Sequence, residues 1–299
     1  MQVEMMHFDP ARELLTHGYW AANHRLWELA SGWRPDVLFC VMFEEQMDRS
    51  VVERITRELS TTTVGWFCDD HWRFEQFSRY WAKAFNWVVT TDEKAVAKYQ
   101  ATGQPNVLLS QWAVNHFAYR PAETTARYDV TFVGRAHGNR TALVAYLRRH
   151  GIRVKTWGQG WPEGRLTQAE MREVFSASKV NLNFSASSGT RPWQPVTTPQ
   201  IKGRVFEVPG CGGLLLTEYA PGLEKYYRLG AEIVSFRGRR EMLRKVRWLL
   251  RHEEERESIA DAGLRRTLMD HTYERRLTEM LQRVTSPSPR TRDYGGTQA

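Results

Sequence analysis

The chain has little cysteine: three in 299 residues, Cys40, Cys68 and Cys211, far apart and with no C-x-x-C. That excludes a disulfide scaffold and an all-cysteine zinc site, and it points to a reducing compartment, the cytoplasm. Long apolar runs are missing as well. No window approaches the ~18 consecutive apolar residues of a membrane-spanning helix. The opening residues, Met1 to His7, lack a basic segment followed by an apolar one, so no secretory leader is expected. Lysine is scarce, 8 against 34 arginines. No repeat of 20–50 residues is evident. Nothing spells a G-x-S-x-G elbow or a Ser-His-Asp triad.

What is present is an ordinary soluble composition, 41% apolar, 25% charged and 12% aromatic, which excludes a disordered or fibrous chain. The length allows two compact domains. The formal charge is +8, unevenly spread: residues 1–118 carry 11 basic and 15 acidic side chains, −4, and residues 119–284 carry 29 and 18, +11. A basic half suits an anionic ligand, nucleotide or nucleic acid. An arginine-rich genome bias produces the same overall sign.

Short apolar runs alternate with helical stretches. Strands are expected at 37–43, 63–67, 87–90, 107–109, 129–133, 152–156, 179–184, 213–217 and 232–236. Helices are expected at 10–30, 49–59, 93–102, 140–150, 168–176 and 204–208. A further helical face is formed by Met242, Leu243, Val246, Leu249 and Leu250, and a final helix covers 271–284. This alternation implies α/β architecture with parallel sheets. The polar stretch Ala118–Tyr128, with Pro121, is expected to link two domains, 1–118 and 119–284. The polar tail from 285 to 299 is expected to be disordered.

Ligands of parallel sheets bind beyond the carboxyl ends of the strands, so the residues there carry the functional reading. After the 129–133 strand comes Gly134-Arg135-Ala136-His137-Gly138-Asn139-Arg140, opening a helix. Small residues admit a ligand to the backbone, the helix start favours phosphate, and Arg135 or Arg140 can neutralise a diphosphate. The turn is neither a G-x-G-x-x-G nor a P-loop, and it also reads as an ordinary βα turn. A Ser/Gly/Thr loop around Ser188 follows the 179–184 strand and offers hydroxyl and backbone donors. Lys202 and Arg204 open a short helix carrying Glu207, which ends in a glycine-rich run at Gly212. A carboxylate there suits a ribose diol. The bland alternative is Glu207 paired with a neighbouring cation. In the first half, Asp69-Asp70-His71 follow the 63–67 strand as an acid/base cluster, or as a helix cap and a packed histidine. Their adjacency argues against a shared metal ion. Eight of the twelve tryptophans lie in residues 1–118, and Trp72 stands next to this cluster.

The runs KGRVFEVPGCGGLLLTEYAPGLEKYY, EIVSFRGRREMLRKVRWLLRHEEERESIADAG and DHTYERRL resemble the C-terminal domain of CgeB-like glycosyltransferases, in the glycosyl transferases group 1 superfamily. The resemblance covers Asp129 to Leu281. PDVLFCVMF, GWFCDDHWRF and VVTTDEKAVAKY resemble the same family's N-terminal domain. The resemblance implies a GT-B fold: two Rossmann-like domains facing a central cleft, the N-terminal one trimmed. It implies a nucleotide-sugar donor on the C-terminal domain, bound through Glu207 at the ribose and Arg135, Arg140, Lys202 and Arg204 at the diphosphate, with Gly134, Ser188 and Gly212 alongside. The acceptor belongs on the N-terminal domain near Asp69, Asp70 and His71. No metal and no cofactor beyond the donor is implied, and no D-x-D is present. The family often has a second glutamate eight positions before the first, touching the sugar. Here that position is Pro199, a departure from the pattern.

The expected activity is transfer of a sugar from a nucleotide-diphosphate-sugar to an acceptor hydroxyl. The acceptor class is open: saccharide, lipid, protein, small molecule or a modified base in DNA. A non-catalytic nucleotide-sugar or nucleic-acid binding module on a decayed GT-B scaffold is the alternative. An epimerase or phosphorylase on the same fold is a third reading.

Overall fold

The computed structural model describes residues 3–186 and 198–286. The chain divides into two compact units, one of residues up to Ser110 together with those from Leu277 onward, the other Gln111–Arg276.

In the first unit, α1 (Pro10–His17) starts where Asp9 accepts from the Arg12 amide and Pro10 takes the first helical position. The single helix expected over 10–30 is two, because Gly18 takes φ 79° between α1 and α2 (Tyr19–Trp33). Four strands follow, β1 (Val37–Met42), β2 (Thr62–Phe67), β3 (Trp87–Thr90) and β4 (Val107–Leu109). They pair in parallel in the order β1-β2-β3-β4. The crossovers are α3 (Arg49–Glu58) and α6 (Glu93–Ala101), capped by Asp48 and Asp92. Between β2 and β3 lies a broken helical run: α4 (Asp70–Arg73), a π turn, α5 (Arg79–Trp81) and a 3-10 turn. One face of the sheet buries Cys40, Met42, Phe67 and Val88 against Ile55, Phe77, Trp81 and Phe85.

The second unit is a five-stranded parallel sheet of β5 (Tyr128–Val133), β6 (Val154–Trp157), β7 (Ser178–Asn183), β8 (Leu215–Glu218) and β9 (Val234–Phe236), in the order β6-β5-β7-β8-β9. Its helices are α7 (Arg140–Arg149), α8 (Gln168–Ser176), α9 (Arg204–Gly210), α10 (Arg239–Arg251) and α11 (Glu253–Asp270). The helix α12 (Tyr273–Thr285) begins here, and its residues from Leu277 group with the first unit. Two cores cover the two faces. One joins β5 and β7 to α7 and α10 through Val130, Leu182, Leu147 and Val246; the other joins the sheet to α8 and α9 through Phe175, Phe206 and Leu215. The order reverses between β5 and β7, the topological switch at which doubly wound sheets open a ligand crevice.

The unit boundary falls before Gln111, whereas a linker was expected at 118–128. The physical reason is pairing within the second unit: the Val114 amide donates to the His271 carbonyl at 2.9 Å, and the Tyr273 amide to the Val114 carbonyl at 3.0 Å. Val114 and Tyr119 are buried beside Phe206 and Val208. The tail expected from 285 lies outside the described residues beyond Ser286. No described helix is long and apolar enough to cross a membrane.

Candidate functional site

The β5–β7 switch gathers most of the basic residues read from the sequence. The turn Gly134–Asn139 leaves β5 and is held by the loop after β6. Ala136 donates to the Gln159 carbonyl at 2.8 Å, and Trp161 Nε1 to the Gly134 carbonyl at 2.9 Å. Gly158 makes the approach possible: at φ 129°, its added β-carbon would lie 2.3 Å from the Gly134 oxygen.

Arg140 opens α7 and is only 8% exposed. Its Nη1 donates to the Arg135 carbonyl at 3.1 Å and its Nη2 to the Ala186 carbonyl at 3.3 Å. It ties the turn after β5 to the segment after β7. Burial pushes its guanidinium down to about 10, while the charge of Glu218 opposes that fall. Glu218 ends β8 and accepts from the Ser185 amide at 3.0 Å and hydroxyl at 3.1 Å. Arg140 was expected at the diphosphate; its described hydrogen bonds go to the Arg135 and Ala186 carbonyls. Glu218 was missed, although its place immediately after an apolar strand is the available signal.

His137 sits among the cations. Burial and then the charges of Arg140, Lys202 and Arg135 push its imidazole down to about 4. Arg135 in the turn, Arg140 at the start of α7 and Lys202 before α9 all contribute positive charge at this ring. Such a group of donors at a helix start suits a phosphate anion.

Glu207 stands in the first turn of α9, partly exposed. Arg204 pairs with its Oε2. Oε1 lies beside Gly203, where an added β-carbon would come to 3.4 Å. Arg204 also donates to the Val133 carbonyl at 3.4 Å and contacts Met171 Sδ at 3.2 Å. It was expected to face phosphate; instead it is committed to Glu207, as i and i+3 neighbours on a helix permit. Gly212 is at the other end of α9, at φ 71° and 3.5 Å from Pro121 by its added β-carbon. It serves the turn into β8 at the strand's amino end, away from the carboxyl edge where a ligand would sit. Ser188 lies outside the described residues. Pro199 pairs with Ala186 in an antiparallel bridge.

In the first unit, Asp69, Asp70 and His71 follow β2. Asp70 is 1% exposed. Its Oδ2 accepts from Thr90 Oγ1 at 2.6 Å and from Tyr99 OH at 2.9 Å. Burial pushes its carboxyl up to about 6 against the pull of the Ser78, Thr90 and Tyr99 hydroxyls. Expected as an acid/base group, it is enclosed here and acts as a brace between α4, β3 and α6. His71 is mostly buried: its Nε2 lies 3.9 Å from Asp92 Oδ1, with the two side chains 11% and 12% exposed. Asp92 was not picked out from the sequence; its signal is a carboxylate just beyond β3 that caps α6. Trp72 is half-buried, with the Arg73 guanidinium 5.5 Å from its ring centre.

Among the described residues, no group of three or more His, Cys, Asp or Glu side chains is placed to hold a metal ion. The three cysteines are buried and free.

Residues 138–282 match the model of the family described as glycosyl transferase-like. The chain is similar to the spore protein CgeB of Bacillus subtilis strain 168, 22% identical over 211 residues, covering 62% of this chain and 64% of that protein. It thus spans less than two thirds of the length of that curated relative. Among solved structures it is similar to sucrose-phosphate synthase from Thermosynechococcus elongatus, with TM-score 0.66 and 11% identity over 91% of this chain and 78% of that one. It is also similar to Anabaena HepE in complex with UDP, with TM-score 0.63 and 10% identity over 88% and 81%. The fold is GT-B, as the sequence resemblance implied, and the family match coincides closely with the stretch that carried it.

Proposed function

We propose that this chain, a CgeB-like member of the glycosyltransferase superfamily, transfers a sugar from a nucleotide-diphosphate-sugar to an acceptor hydroxyl. The observation that carries this reading is the basic turn Arg135–Arg140 at the β5–β7 switch of a GT-B sheet, tied by Arg140 to the Arg135 and Ala186 carbonyls.

The chemistry follows from charge. As the bond from the anomeric carbon to the diphosphate oxygen breaks, negative charge grows on the leaving group. Fixed cations and the start of α7 stabilise it without reorganising. Arg135 and Lys202 supply the direct contacts, and Arg140 keeps the two loops in register. Glu207 offers Oε1 to the ribose hydroxyls while Arg204 holds Oε2. HepE has been solved with UDP and with UDP-glucose, which makes uridine diphosphate the first nucleotide to test.

On the first unit, His71 and Asp92 receive the acceptor. The acceptor hydroxyl donates its one proton to His71 Nε2, and Asp92 Oδ1, 3.9 Å from that nitrogen, supplies the neighbouring negative charge. The imidazole takes the proton as the new glycosidic bond forms, and Asp92 stabilises the imidazolium. Asp70 is a positioning residue. Charge neutralisation is assigned to side chains, with no step given to a metal or a further cofactor. A reducing, cytoplasmic setting is part of the proposal, in keeping with three buried free thiols.

A second reading, a donor-binding module that no longer transfers, is favoured by Pro199 standing where the family has a sugar-contacting glutamate. Single-turnover release of UDP from UDP-sugars, with and without a panel of acceptors, separates the two. Release that depends on Glu207 and His71 supports transfer. Tight binding with no release under any acceptor supports the module.

A further inference from the structure

The donor reading leaves unused a row of exposed arginines on the second unit. Along α10, Arg240, Arg244, Arg247 and Arg251 are all exposed. At about 3.6 residues per turn they fall within roughly 60° of one another and form a row about 16 Å long. Met242, Leu243, Val246 and Leu249, on the opposite side, are buried, so the row is fixed on the core. The one carboxylate of α10, Glu241, is taken by Lys245 at 2.7 Å. Among the described residues, none of the four arginines forms an ion pair.

The end of α7 widens the surface. Arg247 Nη2 donates to the His150 carbonyl at 3.2 Å, beside exposed Arg148 and Arg149. Trp248 flanks the row, 42% exposed, with one side stacked on His252 at 4.4 Å between centres and 15° between planes. The acidic first turn of α11, Glu253–Glu255, bounds the patch.

We propose that this row is a docking track for a nucleic-acid strand. Its occupant has to be a linear polyanion, because the charge lies in a line, one arginine every ~5–6 Å along the axis. Arginine forks grip phosphodiester oxygens with paired hydrogen bonds. The exposed Trp248 ring beside them suits an unpaired base, the combination of charge and aromatic platform used for single strands. An anionic membrane fits less well. A helix lying on lipid buries an apolar face by ~5–10 Å, and the apolar residues of α10 are already in the core apart from Trp248. The row starts just beyond β9, at the carboxyl edge that carries Glu218, so a bound strand leads toward the donor residues. The inference goes beyond sugar transfer and does not rest on it.

The test is fluorescence anisotropy of a labelled single-stranded DNA of about 20 nucleotides with the full chain, between about 50 and 200 mM salt. Four phosphate contacts predict a slope of log K against log salt near −3, at about −0.7 per contact. The variant Arg240→Glu/Arg244→Glu/Arg247→Glu should bind at least ~10-fold more weakly at the lowest salt, with a shallower slope. Trp248→Ala should weaken binding and leave the slope unchanged. Neutralising Glu254 and Glu255 to Gln should not weaken it. These exposed positions leave the core intact, and an unchanged melting temperature verifies it. No DNA binding at low salt, or wild-type binding by the triple variant, overturns the proposal. So does arginine-dependent binding to phosphatidylserine vesicles without binding to DNA. The assay contains no donor, so its failure is distinct from a failure of the transferase reading.

Discussion

Arg204 and Glu207, three residues apart on α9, form an ion pair that occupies one carboxylate oxygen and leaves the other beside Gly203. The pair presents a carboxylate of fixed orientation at the edge where the donor ribose is proposed to bind. Glu207→Ala should therefore weaken nucleotide diphosphate binding by about 1–3 kcal/mol, the scale of a hydrogen bond to a charged group. Calorimetric titration with UDP measures this. A folded variant with unchanged affinity contradicts the ribose assignment.

Gly158 has no room for a side chain against Gly134. Gly158→Ala would force a β-carbon to within 2.3 Å of a carbonyl oxygen at a φ of 129°. The strain should cost on the order of 1–3 kcal/mol and loosen the turn carrying Arg135. Denaturant midpoints give the first effect and UDP affinity the second. Loss of neither means that the two loops separate freely and do not set the site.

Asp70 gives the first unit a pH dependence of definite sign. Its carboxyl is raised from 3.8 to about 6 in the folded chain, chiefly by burial. Its contribution to stability is thus fully present below the unfolded value and is lost as pH rises through about 6, up to ~3 kcal/mol in all. Asp70→Asn stays neutral and keeps an acceptor oxygen for Thr90 and Tyr99. The variant should gain stability relative to the native chain between pH 4.5 and 7. A stability difference that is flat over that range rules out an enclosed, raised carboxyl.

His137 works in the opposite direction. Its folded value, about 4, lies below the ordinary 6.5. The stability it contributes is present above 6.5 and is lost as pH falls toward 4. A bound diphosphate favours the imidazolium, so binding should take up a proton through His137 in that window. Calorimetry near pH 5.5 in two buffers of different ionisation enthalpy counts the protons. His137→Ala should take up fewer; equal uptake removes His137 from the anion site.

Much of this organisation is legible in the sequence, because buried parallel strands are short, apolar and bounded by turn residues. Thr63–Phe67 and Trp87–Thr90 stand out on that pattern alone and appear as β2 and β3. The break at Gly18 and the helical run from 70 to 84 do not, since tolerated glycines and aromatic-rich helical turns carry no periodic signature. Strand order is not encoded in β–α alternation, so the reversal between β5 and β7 emerges only in three dimensions. The same holds for Asp70, whose burial depends on Thr90 and Tyr99, 20 and 29 residues away. The Arg204–Glu207 pair was within reach as a three-residue spacing, but which cation Glu207 takes depends on Val133 and Met171 holding Arg204 in place.

The central claim is that the cationic turn at the β5–β7 switch holds a nucleotide diphosphate. Its most direct test is the melting temperature of the native chain and of Arg135→Ala/Lys202→Ala across a concentration series of UDP and UDP-sugars. Ligand at about 100 times its Kd should stabilise the native chain by ~2.7 kcal/mol, a shift of several degrees, and the double variant should show little or none. A native chain that does not respond to any nucleotide diphosphate, or a variant that responds equally, contradicts the account.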